Sequence, residues 1–283
     1  MPKPSLLRHA ASLPGWSRQS FYLLGGYLAV MALIAWFWWP LARDAFVVDA
    51  GWDGERHWRF DWLLLGNFVA MFLLIMAKAD WRADLKIALA GLAGGLAIEC
   101  WGTQTNLWFY YTSQRPPLWI IPAWPISTLA TDRLARLLGW TEKLIDHRPF
   151  DRRQRCFCVA YWVVFTGFYA LLVWFAAPSL DKSLTWVALV LCALFILTPV
   201  DFRWATLTFV AGSALGYFLE RWGTTRQCWT YYTHQTPPLF AVLAHGMACV
   251  AFWRARTASH WTLLKLTRPI NNVARVPLPP DNQ

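Results

Sequence analysis

Glu99-Cys-Trp-Gly-Thr-Gln-Thr-Asn-Leu-Trp-Phe-Tyr-Tyr-Thr-Ser-Gln-Arg-Pro-Pro-Leu118 is written a second time in the same chain, as Glu220-Arg-Trp-Gly-Thr-Thr-Arg-Gln-Cys-Trp-Thr-Tyr-Tyr-Thr-His-Gln-Thr-Pro-Pro-Leu239. The offset is 220 − 99 = 121, and it holds without insertion from Asp80/Asp201 to Leu118/Leu239. Upstream of the quoted stretch it also matches Arg82/Arg203, Gly91/Gly212 and Gly95/Gly216. A long internal period is the signature of an architecture built from two copies of one unit. The repeat therefore decides how the rest of the chain is read.

Composition sets the solvent. Of 283 residues 57% are hydrophobic, and 21 Trp stand against 16 acidic side chains. Charges fall in clusters between apolar runs, several of which approach the ~20 residues needed to cross a bilayer. This pattern indicates a polytopic membrane protein. The net charge of +10 lies mostly beside those runs, where positive charge orients membrane spans, so it calls for no nucleic-acid partner. The six cysteines lack paired Cys-x-x-Cys spacing and read as free thiols rather than metal ligands.

Taken in order, residues 1–20 read as a basic cytoplasmic tail, and Phe21–Trp39 as a first span rather than a cleaved signal. Residues 40–61 carry an excess of acid that fits the outer side. A second span runs over about 62–78. A third starts near Ile87 and carries Glu99 toward its outer end, and the aromatic segment Leu107–Tyr111 reads as an interfacial belt. A fourth begins at Pro116-Pro117 and is interrupted by Pro122 and Pro125. Residues 132–155 form the most basic loop, with apolar positions at helical spacing that predict a helix lying on the cytoplasmic face. Spans near 158–177, 184–200, 205–221 and 238–253 repeat the plan, and 254–283 read as a second surface-lying helix with a Pro-rich end. The expected fold is all-α: eight transmembrane helices in two repeats, 21–131 and 156–253. Both termini are cytoplasmic. An even number of spans per repeat gives the halves the same orientation, related by a pseudo-twofold axis along the membrane normal.

The repeated stretch also carries the candidate chemistry. On a helix, residues four apart share a face, so Gly91, Gly95, Glu99 and Thr103 form one stripe and Gly212, Gly216, Glu220 and Thr224 another. The glycines admit either a neighbouring helix or a flat ligand. A carboxylate in or near hydrocarbon costs ~2.5 kcal/mol or more unless protonated, paired or wetted, so its retention in both copies points to a use. One alternative pairs each glutamate with a local arginine: Arg115, Arg221 or Arg226. As a proton donor and acceptor, Glu99 and Glu220 are the candidate catalytic residues. Trp101, Trp222, Trp108, Trp229, Tyr110, Tyr111, Tyr231 and Tyr232 are candidate walls, with Thr103 and Thr224 as polar contacts. Aromatic faces beside an acid suit carbocation chemistry on an isoprenoid. An ordinary aromatic belt is the other reading of the same rings. His245 falls opposite Trp124 under the 121-residue offset and breaks the symmetry. Asp80 and Asp201 read as markers of the cytoplasmic helix starts. His57 and the acids around it read as an exposed loop. No phosphate-binding loop, dinucleotide fingerprint, nucleophile elbow or His-Glu-x-x-His is present.

The pattern Glu-x-x-Gly-Thr, then Tyr-Tyr, then a Pro-led apolar run resembles the integral-membrane carotenoid-modifying proteins: the small lycopene cyclases and, more closely, the carotenoid hydratase-like family. The resemblance rests on Glu99, Gly102, Thr103, Tyr110 and Tyr111 and on Glu220, Gly223, Thr224, Tyr231 and Tyr232, about forty residues per half. It implies an all-helical protein acting on long polyenes by proton addition without a redox cofactor. The Pro-x-Glu-Glu type acidic pair of the lycopene cyclases is missing, and the Trp content is heavier. The expected activity is a proton-initiated cyclase, hydratase or isomerase of an isoprenoid lipid in a bacterial inner membrane, with no metal or cofactor. A non-enzymatic lipid carrier and a structural subunit of a membrane complex are the alternatives. Self-association into a homo-oligomer stays open.

Overall fold

The structure, a computed structural model, describes residues 15–40, 43, 62–145, 149–199 and 201–267, with side chains as far as residue 259. The acidic loop with His57, most of the N-terminal tail and the Pro-rich end lie outside the described residues. The rest is mostly helical. In chain order come α1 (Arg18–Phe37), α2 (Trp62–Met76), α3 (Trp81–Gln104), β1 (Trp108–Tyr110), α4 (Ala123–Ile145), α5 (Phe150–Ala176), α6 (Ser183–Ile196), α7 (Phe202–Thr225), β2 (Trp229–Tyr231) and α8 (Leu239–Thr267).

Three of these helical segments are long and apolar enough to cross a membrane: Arg18–Phe37, Trp81–Gln104 and Phe150–Ser179, where a 3-10 turn extends α5. They mark the chain as a membrane protein. Helices α2 and α6 are apolar but shorter. Helix α7 is different for a physical reason: it sits among α4, α5 and α8 and buries eleven of its residues, so most of its surface meets protein rather than lipid. The outer faces are apolar. On α3, Leu85, Leu89, Leu92 and Leu96 recur every three or four residues and are exposed, while Ile87, Gly91, Gly95 and Glu99 face inward.

The two repeated helices start alike. Asp80 accepts hydrogen bonds from the backbone N–H groups of Arg82 (3.0 Å) and Ala83, and Asp201 from that of Trp204 (2.9 Å), so both aspartates are helix N-caps, as the sequence indicates. The helices end alike as well. Asn106 and Gln227 take left-handed φ values of 61° and 55°, as do Ser113 and His234 at 58° and 56°. Beyond each helix end the chain turns back into a three-residue strand. The strands pair antiparallel, Trp108 opposite Tyr231, Phe109 opposite Thr230 and Tyr110 opposite Trp229. Exchanging the two copies maps this ladder onto itself. Residues 107–111 are thus paired backbone between the halves.

Helix α3 begins at Trp81 rather than near Ile87, and helix boundaries depart from the sequence reading in three further places. Residues 116–122 are turns, and the fourth helix begins at Ala123 with Pro125 in its first turn, where a missing N–H breaks no intrahelical bond. The segment 132–155 is divided between two helices rather than forming one of its own. Residues 132–145 complete α4 and 150–155 begin α5. The cause is burial: Arg133, only 4% exposed, donates from Nη2 to both Asp84 carboxylate oxygens at 2.6 Å and from Nη1 to Asp132 at 2.8 Å. Third, α8 runs without a break through residue 267, where a separate surface helix was expected from 254.

Two clusters form the interior. The larger is aromatic, built around Trp101, Trp108, Tyr110, Phe175, Tyr231 and Phe240, with Phe175 and Phe240 stacked at 4.0 Å. The smaller joins Tyr27, Met71 and Ile75 to Ile87 and Leu129. Lys182 donates to the carbonyl of Thr105 at 3.0 Å, capping the end of α3 from across the bundle.

Candidate functional site: a pair of buried glutamates

Side chains alternate across a strand, so Trp108 and Tyr110 share one face of β1 while Phe109 points away and is 40% exposed. That face is turned toward the last turns of α3. Trp108 Nε1 donates to Glu99 Oε2 at 3.1 Å, and the Tyr110 hydroxyl donates to the same oxygen at 2.9 Å. Trp124, near the start of α4, donates from Nε1 to Glu99 Oε1 at 3.1 Å.

The second copy repeats the arrangement with one change. Trp229 Nε1 donates to Glu220 Oε2 at 2.9 Å and the Tyr231 hydroxyl to Oε1 at 2.9 Å. The third partner is His245, whose Nε2 lies 3.0 Å from Glu220 Oε1. Two of the three arginines suspected of neutralising the acids are turned elsewhere: Arg115 donates to Asn106 at 2.8 Å and Arg221 to the carbonyl of Thr236 at 3.2 Å. Arg226 lines the cavity described below. Both carboxyls are buried, 4% and 3% exposed. Each has five of its relations in common with the other: a Trp and a Tyr from its own strand, a ring from the following helix, and two glycines that make room.

The glycines explain how rings reach a helix-borne carboxyl. A Cβ on Gly102 would stand 1.9 Å from the Trp108 ring, and one on Gly223 2.0 Å from that of Trp229. A Cβ on Gly95 would stand 2.1 Å from Trp124, and one on Gly216 2.5 Å from His245. The flat groups admitted by these glycines are the chain's own rings.

The two half-sites interlock. Trp108 packs on Tyr231 with centroids 5.9 Å apart, and Tyr110 on Trp229 at 6.0 Å, across the strand ladder. Trp124 stacks on His245 at 5.4 Å with 18° between the planes. Both acids open onto one cavity of about 1180 Å³, lined mainly by apolar and aromatic side chains from all eight helices. Small-molecule pockets usually hold ~300–1,000 Å³, so this space suits a large apolar guest.

Of the residues singled out from the sequence, Trp101, Trp222, Trp108, Trp229, Tyr110, Tyr111, Tyr231 and His245 all line this cavity with the two glutamates. Thr103, Thr224 and Tyr232 are not among its lining residues. Each threonine donates back to the carbonyl of its own helix four residues earlier, at 2.6 Å, and the Tyr232 hydroxyl donates to the carbonyl of Phe175 at 3.0 Å. These three are structural. Trp124 was overlooked as a ligand of the acid. The 121-residue offset already set it opposite His245, which was the available signal. Trp119, another lining residue not singled out, packs edge-on to Tyr110 at 5.4 Å.

Among the described residues no three His, Cys, Asp or Glu side chains cluster as metal ligands. No protein-family model matches this chain, and neither a curated protein nor a solved structure shows significant similarity to it.

Proposed function

We propose that this protein is an integral-membrane enzyme that adds a proton to a long isoprenoid lipid held in the central cavity, with Glu99 and Glu220 as acid and base. One observation carries the reading: two buried carboxyls, held in matching cradles of aromatic donors, open onto a single large apolar cavity. The chemistry is proton addition to an alkene. One carboxylic acid gives its proton to an alkene carbon, the π pair forms the new C–H bond, and the neighbouring carbon becomes a cation. Ring faces of the kind supplied by Trp108, Trp229 and Tyr110 stabilise such a cation. Loss of a neighbouring proton to the second carboxylate completes an isomerisation or cyclisation; in a hydration, water adds to the cation and the resulting oxonium gives its extra proton to that carboxylate. In each cradle one carboxyl oxygen has a single hydrogen-bond partner, Oε1 of Glu99 and Oε2 of Glu220, so neither carboxyl has all its lone pairs engaged.

The same reading places the helices as eight spans in two parallel units, related by an axis along the membrane normal, with both termini in the cytoplasm of a bacterial cell and the membrane its inner one. The resemblance to carotenoid hydratase-like proteins supplies the substrate class.

The test is to purify the protein under mild conditions, identify the lipid that travels with it by mass spectrometry and absorption, and incubate it with that lipid. A bound isoprenoid converted by the wild type and unconverted by Glu99→Gln or Glu220→Gln is the expected result. Normal conversion in both variants would exclude the mechanism. A second reading, a lipid carrier, is favoured by the fact that every carboxyl oxygen already accepts a hydrogen bond, as in a fixed polar anchor. Under it the glutamine variants lose bound lipid, and the lipid always emerges unchanged.

A further inference from the structure

The two cradles match at two of their three ring partners and differ at the third. Glu99 is held by Trp108, Tyr110 and Trp124. An indole N–H only donates, and it neither gains nor loses charge in water. Glu220 has His245 in the place of Trp124. Imidazole is the side chain whose ordinary charge change falls between pH 5 and 8, and it passes protons in either direction. In this pair the histidine side chain is 19% exposed and the glutamate 4%, so the ring is the less buried member.

We propose that Glu220 and His245 form a proton-delivering dyad, and that Glu99 is the acceptor that takes the proton back at the end of the reaction. The assignment rests on the acid–base reading given above and adds a direction to it. Glu220 gives its proton to the alkene and is left as a carboxylate, the O–H electron pair staying on oxygen. His245 then passes a proton from Nε2 to Glu220 Oε1 and is recharged from water. The cation gives up a neighbouring proton to Glu99, which releases it to water. One proton enters and one leaves, and no electron changes hands.

The groups facing this dyad are few. Glu99 approaches from α3, Tyr110 from β1 and Tyr231 from β2. Cys192 of α6, Cys100 of α3, Tyr111, and Arg226 and Cys228 of the α7–β2 turn line the same cavity. The lining residues of α1, α2, α4 and α5 do not titrate. Of these groups and His245, the imidazole and the Tyr231 hydroxyl are the two that touch Glu220.

Infrared spectra of the full chain in lipid nanodiscs, recorded as a function of pH, test this without any substrate. A protonated carboxylic acid shows a carbonyl stretch that a carboxylate lacks. The expected result is such a band in the wild type that disappears in Glu220→Gln and persists in Glu99→Gln. In His245→Gln the pH at which it appears differs from that of the wild type. Trp124→His, which gives the first cradle the partner of the second, creates an additional band that Glu99→Gln removes. Thermal melting of each variant confirms that it is folded, and His245→Trp, which copies the other cradle, replaces His245→Gln if the latter is not. A band that belongs to Glu99, a Glu220 band indifferent to His245, or no band assignable to Glu220 at any pH overturns the proposal. Because the spectra need no lipid conversion, a dyad that behaves as stated in a protein that converts nothing sinks the enzymatic reading alone. Conversion with the band on Glu99 sinks the dyad alone.

Discussion

Trp124 and His245 lie face to face, 5.4 Å between ring centroids, while each reaches back with a ring nitrogen to a different glutamate, at 3.1 and 3.0 Å. They are the equivalent residues of the two repeats, so the stack is where the two cradles meet. Each ring buttresses the other against the pull of its own carboxyl.

Removing one of these donors tests the cradle. Trp124→Phe keeps an aromatic ring on His245 but leaves Glu99 Oε1 without its partner. A buried acceptor left unpaired destabilises by ~1–3 kcal/mol. Trp119→Phe, whose indole makes a long 3.4 Å bond to Thr112, is expected to cost less. Thermal unfolding in the same detergent compares them, and equal losses would show that the Glu99 bond contributes little.

The close approach of Trp108 to Gly102 and of Trp229 to Gly223 admits no side chain. Gly102→Ala and Gly223→Ala must displace an indole from its glutamate, with an expected loss of ~1–3 kcal/mol as for an overpacked core. Tryptophan fluorescence and the melting temperature should change together. A melting temperature equal to wild type would contradict the geometry.

The Asp84–Arg133 pair joins α3 to α4 with both partners buried. Asp84→Asn leaves a guanidinium facing a weaker partner, and breaking such a pair one-sidedly costs ~3–5 kcal/mol. Replacing both, Asp84→Leu with Arg133→Met, should recover a large part of that loss. Denaturation of the two singles and the double gives the coupling, and additive losses would argue against it.

Thr103→Val and Thr224→Val should leave the lipid content and any conversion unchanged, because each hydroxyl is spent on its own helix. Lipid retention measured beside Glu99→Gln decides the matter. A valine variant as empty as the glutamine variant would place the threonines in the cavity after all.

The repeat made much of the site legible before any coordinates. A constant offset sets Glu99 against Glu220, puts a glycine four residues before each, and singles out His245 as the residue that spoils the match. The strands were not legible. Three residues are too few to display an alternation, and Trp-Phe-Tyr carries the composition of an interfacial belt as well as that of a strand. The burial of Arg133 was invisible for another reason. Its partner Asp84 lies 49 residues away, and a basic residue in a basic segment reads as solvated until the helix that buries it is in place. Farther along α4, Gly139 and Glu142 meet Arg203 of α7, another partner far away in sequence.

The strand ladder bears on how far the two copies can differ. Each copy presents the same edge to the other, as in a two-fold contact between identical subunits. A single unit would leave the edge of its strand unpaired, whereas two copies pair these edges with each other. In a dimer of separate identical units, the residue above each glutamate would have to be the same. Joining the units into one polypeptide lifts that restriction. Carrying both copies on one chain is what lets position 124 be an indole while position 245 is an imidazole.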